Sequence, residues 1–219
     1  MKNRTKFFLV MCIVIVSCIC VYVFSRYQNT SAERLPNKYD IAMEPVHSTV
    51  DQDCDGVDDQ TDILQEALKY IASKPKYKSK YYQTGYPDDG YGVCTDVVAN
   101  ALKNAGYDLM TLVQEDVKRN PDDYDITEPD PNIDFRRVRN LKIYFSHTAV
   151  NLTTDISETE EWQGGDIVIF QNHIGIVSDR RNENGVPYVI HHNGPWQKSY
   201  EQDILESRDD IVGHYRISE

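Results

Sequence analysis

Gly165-Asp166-Ile167-Val168-Ile169-Phe170 opens a series of three apolar runs, which continues with His173-Ile174-Gly175-Ile176-Val177 and Tyr188-Val189-Ile190-His191-His192. Short runs rich in Val and Ile, separated by Gly, Asn and Asp, predict β-strands. Strands are expected near 166–170, 173–178, 186–191 and 211–217. Helical patterns come earlier in the chain, so the sequence predicts an α+β fold with helices packed on an antiparallel sheet.

The turn Asn182-Glu183-Asn184-Gly185 sets the expected register between the second and third runs. This register places position 175 opposite position 191. His173 and His191 then share one face of the sheet, whereas His192 points to the other face. A slip of one residue would exchange His191 and His192.

Cys94 is the first residue of a predicted helix that ends before Gly106. The partial positive charge at a helix N-terminus favours the thiolate, which is the reactive form of cysteine. Cys94 as nucleophile, His173 as base and His191 as the residue that orients the base would form a Cys-His-His triad. Two alternatives remain for Cys94: a buried inert thiol, or a disulfide with Cys54.

This order of motifs resembles the NlpC-type peptidoglycan amidases and peptidases, a papain-like group, and more closely the YijF-like bacterial family of unknown function. The resemblance covers about 51–216 and rests on Gly92-Val93-Cys94-Thr95-Asp96-Val97, Pro129-Asp130-Pro131-Asn132-Ile133-Asp134, Gly165-Asp166-Ile167-Val168, His173-Ile174-Gly175-Ile176-Val177-Ser178-Asp179, Ile190-His191 and Gly213-His214-Tyr215-Arg216. It implies a papain-like fold and also selects His191 as the third catalytic residue. Two departures from the NlpC pattern are Val93-Cys94-Thr95-Asp96 around the nucleophile and Gly164 where proline is usual.

The chain begins with Lys2, Arg4 and Lys6, followed by an apolar run from 7 to 24. Such a run is near the lower limit for spanning a bilayer, and the positive-inside rule leaves its start in the cytoplasm. Residues 1–26 are therefore predicted as a cytoplasmic tip and transmembrane anchor, with the remainder extracytoplasmic. The alternatives are a signal peptide cleaved at Ser31-Ala32 and a lipoprotein cleaved before Cys18.

Three further regions follow the anchor in this prediction. Residues 27–50 are polar and contain two prolines, which is typical of a stalk. Residues 51–73 are an acidic calcium-type loop and its exit helix, and residues 74–219 form the NlpC-like catalytic domain. The loop places oxygen ligands at the spacing of a calcium loop, supplied by Asp51, Asp53, Asp55, the Val57 carbonyl, Asp59 and Asp62. The alternative for this loop is a solvated acidic turn that caps the helix.

Substrate contacts are expected from Arg136 and Arg137, which would hold a carboxylate, and from Tyr91 in a groove. The alternatives are surface solvation for one of the arginines and simple packing for Tyr91. No cofactor is expected for catalysis, and calcium would be structural. The formal net charge of −12 disfavours nucleic acid as a partner.

The expected function is a membrane-anchored extracytoplasmic cysteine amidase or peptidase, and the resemblance to NlpC-type enzymes together with the location implies peptidoglycan peptides as its substrate. One alternative is a thiol acyltransferase of the same fold. Another is a non-catalytic, calcium-dependent binding module at the cell surface.

Overall fold

The computed structural model describes residues 2–26 and 28–218, with side chains from 6 to 24 and from 28 to 218. Helix α1 spans Lys2–Arg26. Its segment Lys6–Phe24 is long and apolar enough to cross a membrane, and none of it is buried against the rest of the chain. A transmembrane anchor and a signal sequence share this character.

The remaining α-helices precede the main sheet, as the sequence predicted. They are α2 (Asp59–Ala72), α3 (Cys94–Asn104), α4 (Leu109–Arg119), α5 (Pro131–Asp134) and α6 (Val138–Thr148). The strands are β1 (Lys76–Tyr77), β2 (Tyr91–Gly92), β3 (Val150–Asn151), β4 (Ile167–Phe170), β5 (His173–Arg181), β6 (Pro187–Ile190), β7 (Glu201–Gln202) and β8 (Ile211–Arg216). Strands β1 and β2 form a small parallel pair, and the other six form one antiparallel sheet in the order β3-β8-β4-β5-β6-β7. The α+β class is therefore confirmed.

Alternate residues of the sheet support two apolar layers. One face packs against α2 and α3 through Ile167, Ile169, Ile174, Ile176 and Ile190. The opposite face carries Val168, Phe170, Val177 and Val189, which pack with Trp162 and Leu205. All four residues of β4 are buried, because both faces of that strand are covered.

The hairpin of β5 and β6 has the predicted register near the histidines. Ile176 pairs with Ile190, and Val177 pairs with Val189. A register shift follows before Arg181 pairs with Pro187, so the irregularity lies at the turn end of the hairpin.

The sequence pattern from 134 to 145 predicts one continuous helix, whereas the observed helix in this region, α6, starts only at Val138. Helix α5 ends at Asp134, and the backbone of Arg137 is extended before α6 begins. The break turns Arg136 into the protein interior, where it binds Asp96. A tertiary ion pair therefore overrides the helical pattern of the sequence.

Asp166, just before β4, joins the neighbouring strand β8 to α2. Its buried carboxylate accepts hydrogen bonds from Arg216 at 2.8 and 2.9 Å and from Gln60 at 2.8 Å, and it lies 3.0 Å from His214 Nε2. The His214 ring also stacks on Trp162 with 3.8 Å between centroids. The motifs containing Asp166, His214 and Arg216 thus stabilise the fold.

Residues 28–38 form an extended segment along β5 and β7, which we call the strap. Arg34 hydrogen-bonds Ser178 at 2.9 Å and the buried carboxylate of Glu201 at 2.9 Å. The backbone N–H of Lys38 donates to the carbonyl of Arg181 at 2.9 Å. The sequence suggested a stalk that separates the domain from the membrane, whereas the structure packs this part of it on the domain.

Candidate active site

The start of α3 is fixed by a buried carboxylate. Asp96, in the first turn, accepts a hydrogen bond from the backbone N–H of Val93 at 2.8 Å. The same carboxylate receives the Nε and Nη2 groups of Arg136 at 2.7 and 2.9 Å. Arg136 also donates to the carbonyl of Lys80 at 2.8 Å, which ties the loop before α3 to its N-terminus. Cys94 is held at this junction.

The Cys94 thiol lies beside the backbone of β5. Strand β6 ends at Ile190, which pairs with Ile176 of β5. The first residues of β5, beginning at His173, extend beyond this pair. There the backbone N–H of Ile174 hydrogen-bonds the sulfur of Cys94. Burial raises the pKa of Cys94 to about 11, although the hydrogen bond from Ile174 acts in the opposite direction. The resting group is therefore a neutral thiol, unlike the thiolate that the helix position suggested.

His173 and His191 form a buried pair, as the hairpin register predicted. His173 Nε2 lies 2.7 Å from His191 Nδ1, and the two rings meet edge to face. The ring of Phe170 stacks on His173 from the neighbouring strand. Burial lowers the pKa of both histidines, and for His191 the adjacent His173 lowers it further. Both rings are therefore neutral at physiological pH.

Of the three predicted catalytic side chains, His173 and His191 are in hydrogen-bond contact with each other. Within the part of the chain that the structure describes, no hydrogen bond links the Cys94 sulfur to either His173 or His191. His192 lies on the other face of the strand, as predicted, and its ring contacts Tyr77 and Tyr200 with centroids 5.3 and 5.1 Å apart. His192 Nδ1 is buried and has no hydrogen-bond partner among the described residues.

An open cleft of about 350 Å³ leads to Cys94. Tyr77, Ser79, Gln171, Asn172 and Arg137 line it together with the first turn of α3. The pKa of Tyr77 is raised by burial and then by the neighbouring Cys94. Sequence reasoning missed Tyr77, Ser79, Gln171 and Asn172, although Gln171-Asn172 form the turn immediately before His173.

The three predicted substrate contacts differ in their positions. The side chain of Arg136 is 2% exposed and is paired with Asp96, so the expectation that it binds a substrate carboxylate is corrected. Arg137 is exposed and lines the cleft. Tyr91 lies on β2 beneath the ammonium group of Lys78, 5.1 Å from the ring centroid, and is not among the residues that line this cleft.

The acidic loop brings together the first three predicted calcium ligands. Carboxylate oxygens of Asp51, Asp53 and Asp55 all lie within 4.8 Å of one another. Gly56 makes the sharp turn with φ +95°, and its N–H donates to Asp51 at 2.9 Å. Val57 donates its N–H to Asp55 at 2.8 Å. Oxygen ligands in this arrangement suit Ca²⁺.

The last two predicted carboxylate ligands are placed differently. Asp59 is buried and accepts hydrogen bonds from the Gln52 N–H at 2.8 Å, from Ser218 at 2.9 Å and from the Tyr107 hydroxyl. Those contacts hold α2 in place and are not those of a calcium ligand. Burial, followed by the charges of Asp53 and Asp55, raises the pKa of Asp62 to about 6. Asp62 therefore lies in the negative potential of the loop, where a cation would stabilise its charged form.

Cys54 and Cys94 are both free thiols, and Cys54 is exposed. The alternative of a disulfide between them is not found in this structure.

Comparison with known proteins places these residues in a family. A family model described as Domain of unknown function (DUF1287) matches residues 64–217. The chain belongs to this family. It is also 38% identical over 167 residues to "Uncharacterized protein YijF" of Escherichia coli (strain K12), across 70% of this chain and 80% of the relative. No solved structure matches the chain.

The matched range of the DUF1287 family separates the two candidate sites. It contains Cys94, His173 and His191, and it also contains Arg136 and Arg137. The acidic loop at 51–62 precedes it. The cleft therefore lies within the family domain, whereas the candidate calcium loop lies outside the range matched by the family model.

Proposed function

We propose that this protein is a cysteine amidase or peptidase with a papain-like arrangement, in which Cys94, His173 and His191 act as nucleophile, base and orienting residue. The observation that carries this proposal is the 2.7 Å contact between His173 Nε2 and His191 Nδ1, next to the residue whose N–H binds the Cys94 thiol. A buried histidine pair supports a defined tautomer, and a thiol at a helix N-terminus beside a cleft supports nucleophilic attack.

The contact between the histidines allows two arrangements of their protons, and one of them suits catalysis. If His173 donates from Nε2 to His191 Nδ1, the lone pair of His173 is on Nδ1, where it can accept the thiol proton. His191 then fixes the orientation of the base without carrying charge. The missing bond between Cys94 and His173 forms when substrate enters, since catalytic hydrogen bonds often tighten only in the substrate complex.

The reaction proceeds through a thioester. The Cys94 sulfur attacks an amide carbonyl while its proton passes to His173 Nδ1, and the backbone N–H of Cys94 stabilises the oxyanion. His173 returns the proton to the leaving amine as the C–N bond breaks. Water then attacks the thioester, His173 accepts a proton from that water, and the proton returns to the departing Cys94 sulfur.

Peptidoglycan peptides are the substrate that we propose. The resemblance to NlpC-type enzymes and an N-terminal helix suited to export both support this class, with the catalytic domain on the extracytoplasmic side. Arg137 in the cleft offers a guanidinium to a peptide carboxylate. The role of Arg137 requires a negatively charged substrate. The roles proposed for Cys94, His173 and His191 do not depend on the charge of the substrate.

The direct test uses the full-length chain in detergent and purified, cross-linked peptidoglycan. Released muropeptides are identified by mass, and Cys94→Ala and His173→Ala serve as matched variants. We expect a hydrolysed amide from the wild-type chain and none from either variant. A covalent acyl adduct on Cys94, trapped by acid quenching, would establish the thioester.

Two other outcomes would replace the proposal. Transfer of the acyl group to an added amine, with little hydrolysis, would make the protein an acyltransferase. Retention of peptidoglycan by both wild type and Cys94→Ala, with no adduct and no product, would make it a binding module.

A further inference from the structure

The strap keeps the end of α1 close to the cleft. Gln28 donates its backbone N–H to the carbonyl of Pro195 at 2.8 Å and its side-chain amide to the carbonyl of Tyr77 at 3.2 Å. Helix α1 ends at Arg26, two residues earlier. Two residues span at most about 7 Å, so the end of the apolar helix lies within that distance of a residue bonded to the wall of the cleft.

The contacts of the strap with the domain also favour a chain in which α1 is not removed by cleavage. Thr30 is buried and donates its hydroxyl to the carbonyl of Gln197 at 3.0 Å. The backbone of Ser31 donates to Lys198 at 2.8 Å and accepts from Tyr200 at 3.0 Å. Cleavage between Ser31 and Ala32 would remove Thr30 and Ser31 from the folded domain. The packing therefore favours an uncleaved anchor over that signal-peptide site.

The surface around this point has the chemistry of a membrane-facing surface. Trp196 is 63% exposed and follows Pro195, the residue that Gln28 binds. Exposed lysines lie next to these contacts: Lys76 and Lys78 flank Tyr77, whose carbonyl Gln28 binds, and the carbonyl of Lys198 accepts from Ser31. Lys74 is exposed in the same segment, whereas Lys80 is paired with Asp89 at 2.8 Å. Tryptophan is enriched at the headgroup level of membranes, and lysines are attracted to anionic lipids. These lysines stand out because the whole chain has a net charge of −12.

We propose that the surface formed by residues 74–80 and 193–198 docks on the anionic bilayer in which α1 is embedded. The proposal rests on α1 being a membrane span and does not require the enzymatic function. Docking places the cleft beside the lipid headgroups, because Tyr77 belongs to both the docking surface and the cleft wall. The cleft would then bind ligands that lie close to the membrane surface, and not ligands in the part of the cell wall far from the membrane.

Tryptophan fluorescence tests this orientation directly. The chain has two tryptophans, and Trp162 is fully buried, so Trp196 dominates the response to lipid quenchers. The full-length protein is reconstituted in vesicles of phosphatidylcholine, with or without about one third phosphatidylglycerol, that carry a spin label near the headgroup. We expect strong quenching in the anionic vesicles, less in the neutral ones, and its loss in Trp196→Phe.

Charge variants separate docking from simple tethering. K76Q/K198Q removes two lysines of the docking surface, and K118Q/K142Q removes two exposed lysines on α4 and α6. The first pair should reduce the ratio of docked to undocked protein about fivefold for each lysine, and the second pair should leave it unchanged. Absence of quenching in both lipid compositions, or equal behaviour of the two lysine pairs, would overturn the proposal.

Discussion

Replacement of Arg136 by alanine should destabilise the protein strongly, although this arginine lies beside the cleft. Its guanidinium makes two hydrogen bonds to Asp96 and one to the Lys80 carbonyl. The side chains of Arg136 and Asp96 are 2% and 0% exposed. Arg136→Ala therefore leaves the Asp96 carboxylate buried without its charged partner in the first turn of α3.

The expected loss follows from the burial of both charges. Removing one partner of a buried ion pair costs about 3–5 kcal/mol of unfolding free energy. A change of 1 kcal/mol shifts the melting temperature by about 2–4 °C in a chain of this size, so a decrease of roughly 6–20 °C is expected. Arg136→Lys keeps the charge but loses the paired geometry, and it should fall between alanine and the wild type.

Arg137 provides the matched control because it is the next residue in the chain and is exposed. Arg137→Ala should change the unfolding free energy by less than about 0.5 kcal/mol. If Arg137 binds a substrate carboxylate, the same variant should lower kcat/KM about 10- to 100-fold. Thermal unfolding in detergent and steady-state kinetics measure both effects. Equal melting temperatures for Arg136→Ala and the wild type would refute the structural role of Arg136.

Three further predictions concern the histidines and the acidic loop. His191→Ala should lower kcat at least 100-fold and His191→Gln should recover part of it, whereas His192→Ala should be milder, and the reverse order in steady-state kinetics would assign the role to His192. Burial lowers the pKa of His173 to about 4, so the unfolded state binds more protons below about pH 6.5. The unfolding free energy from urea titration should therefore fall between about pH 6.5 and 4, and His173→Gln should flatten this slope, whereas an unchanged slope would contradict the assignment. Millimolar calcium should raise the melting temperature, Asp53→Asn should abolish that increase, and an absence of any response to calcium would reject the site.

Local signals in the sequence were sufficient for much of the fold. Gly106, which follows the end of α3, and the turn Asn182-Glu183-Asn184-Gly185 between β5 and β6 act over a few residues. Their consequences were therefore predictable, including the register that brings His173 to His191. The papain-like arrangement and the catalytic roles of Cys94, His173 and His191 remain predictions.

In two places, ion pairs between residues far apart in the sequence produced a structure that local sequence patterns did not predict. Nothing near Arg136 in the sequence distinguishes it from Arg137, yet Asp96, forty residues earlier, determines which of them is buried. The strap is similar, since its polar composition is typical of a linker. The buried carboxylate of Glu201, more than 160 residues later, binds Arg34 and draws this segment onto the sheet. Such partners are visible only after the chain has folded.

The state of Cys94 shows how opposing local effects are decided by packing. Its position at the start of α3 and the N–H of Ile174 both favour the thiolate, and sequence reasoning could detect the first of these. Burial acts against both and is the largest influence on the thiol pKa. Burial likewise keeps His173 neutral, so the resting site holds no ion pair. In the proposed mechanism, attack by Cys94 is therefore coupled to proton transfer to His173, and the substrate that brings these two groups together would also determine when the nucleophile forms.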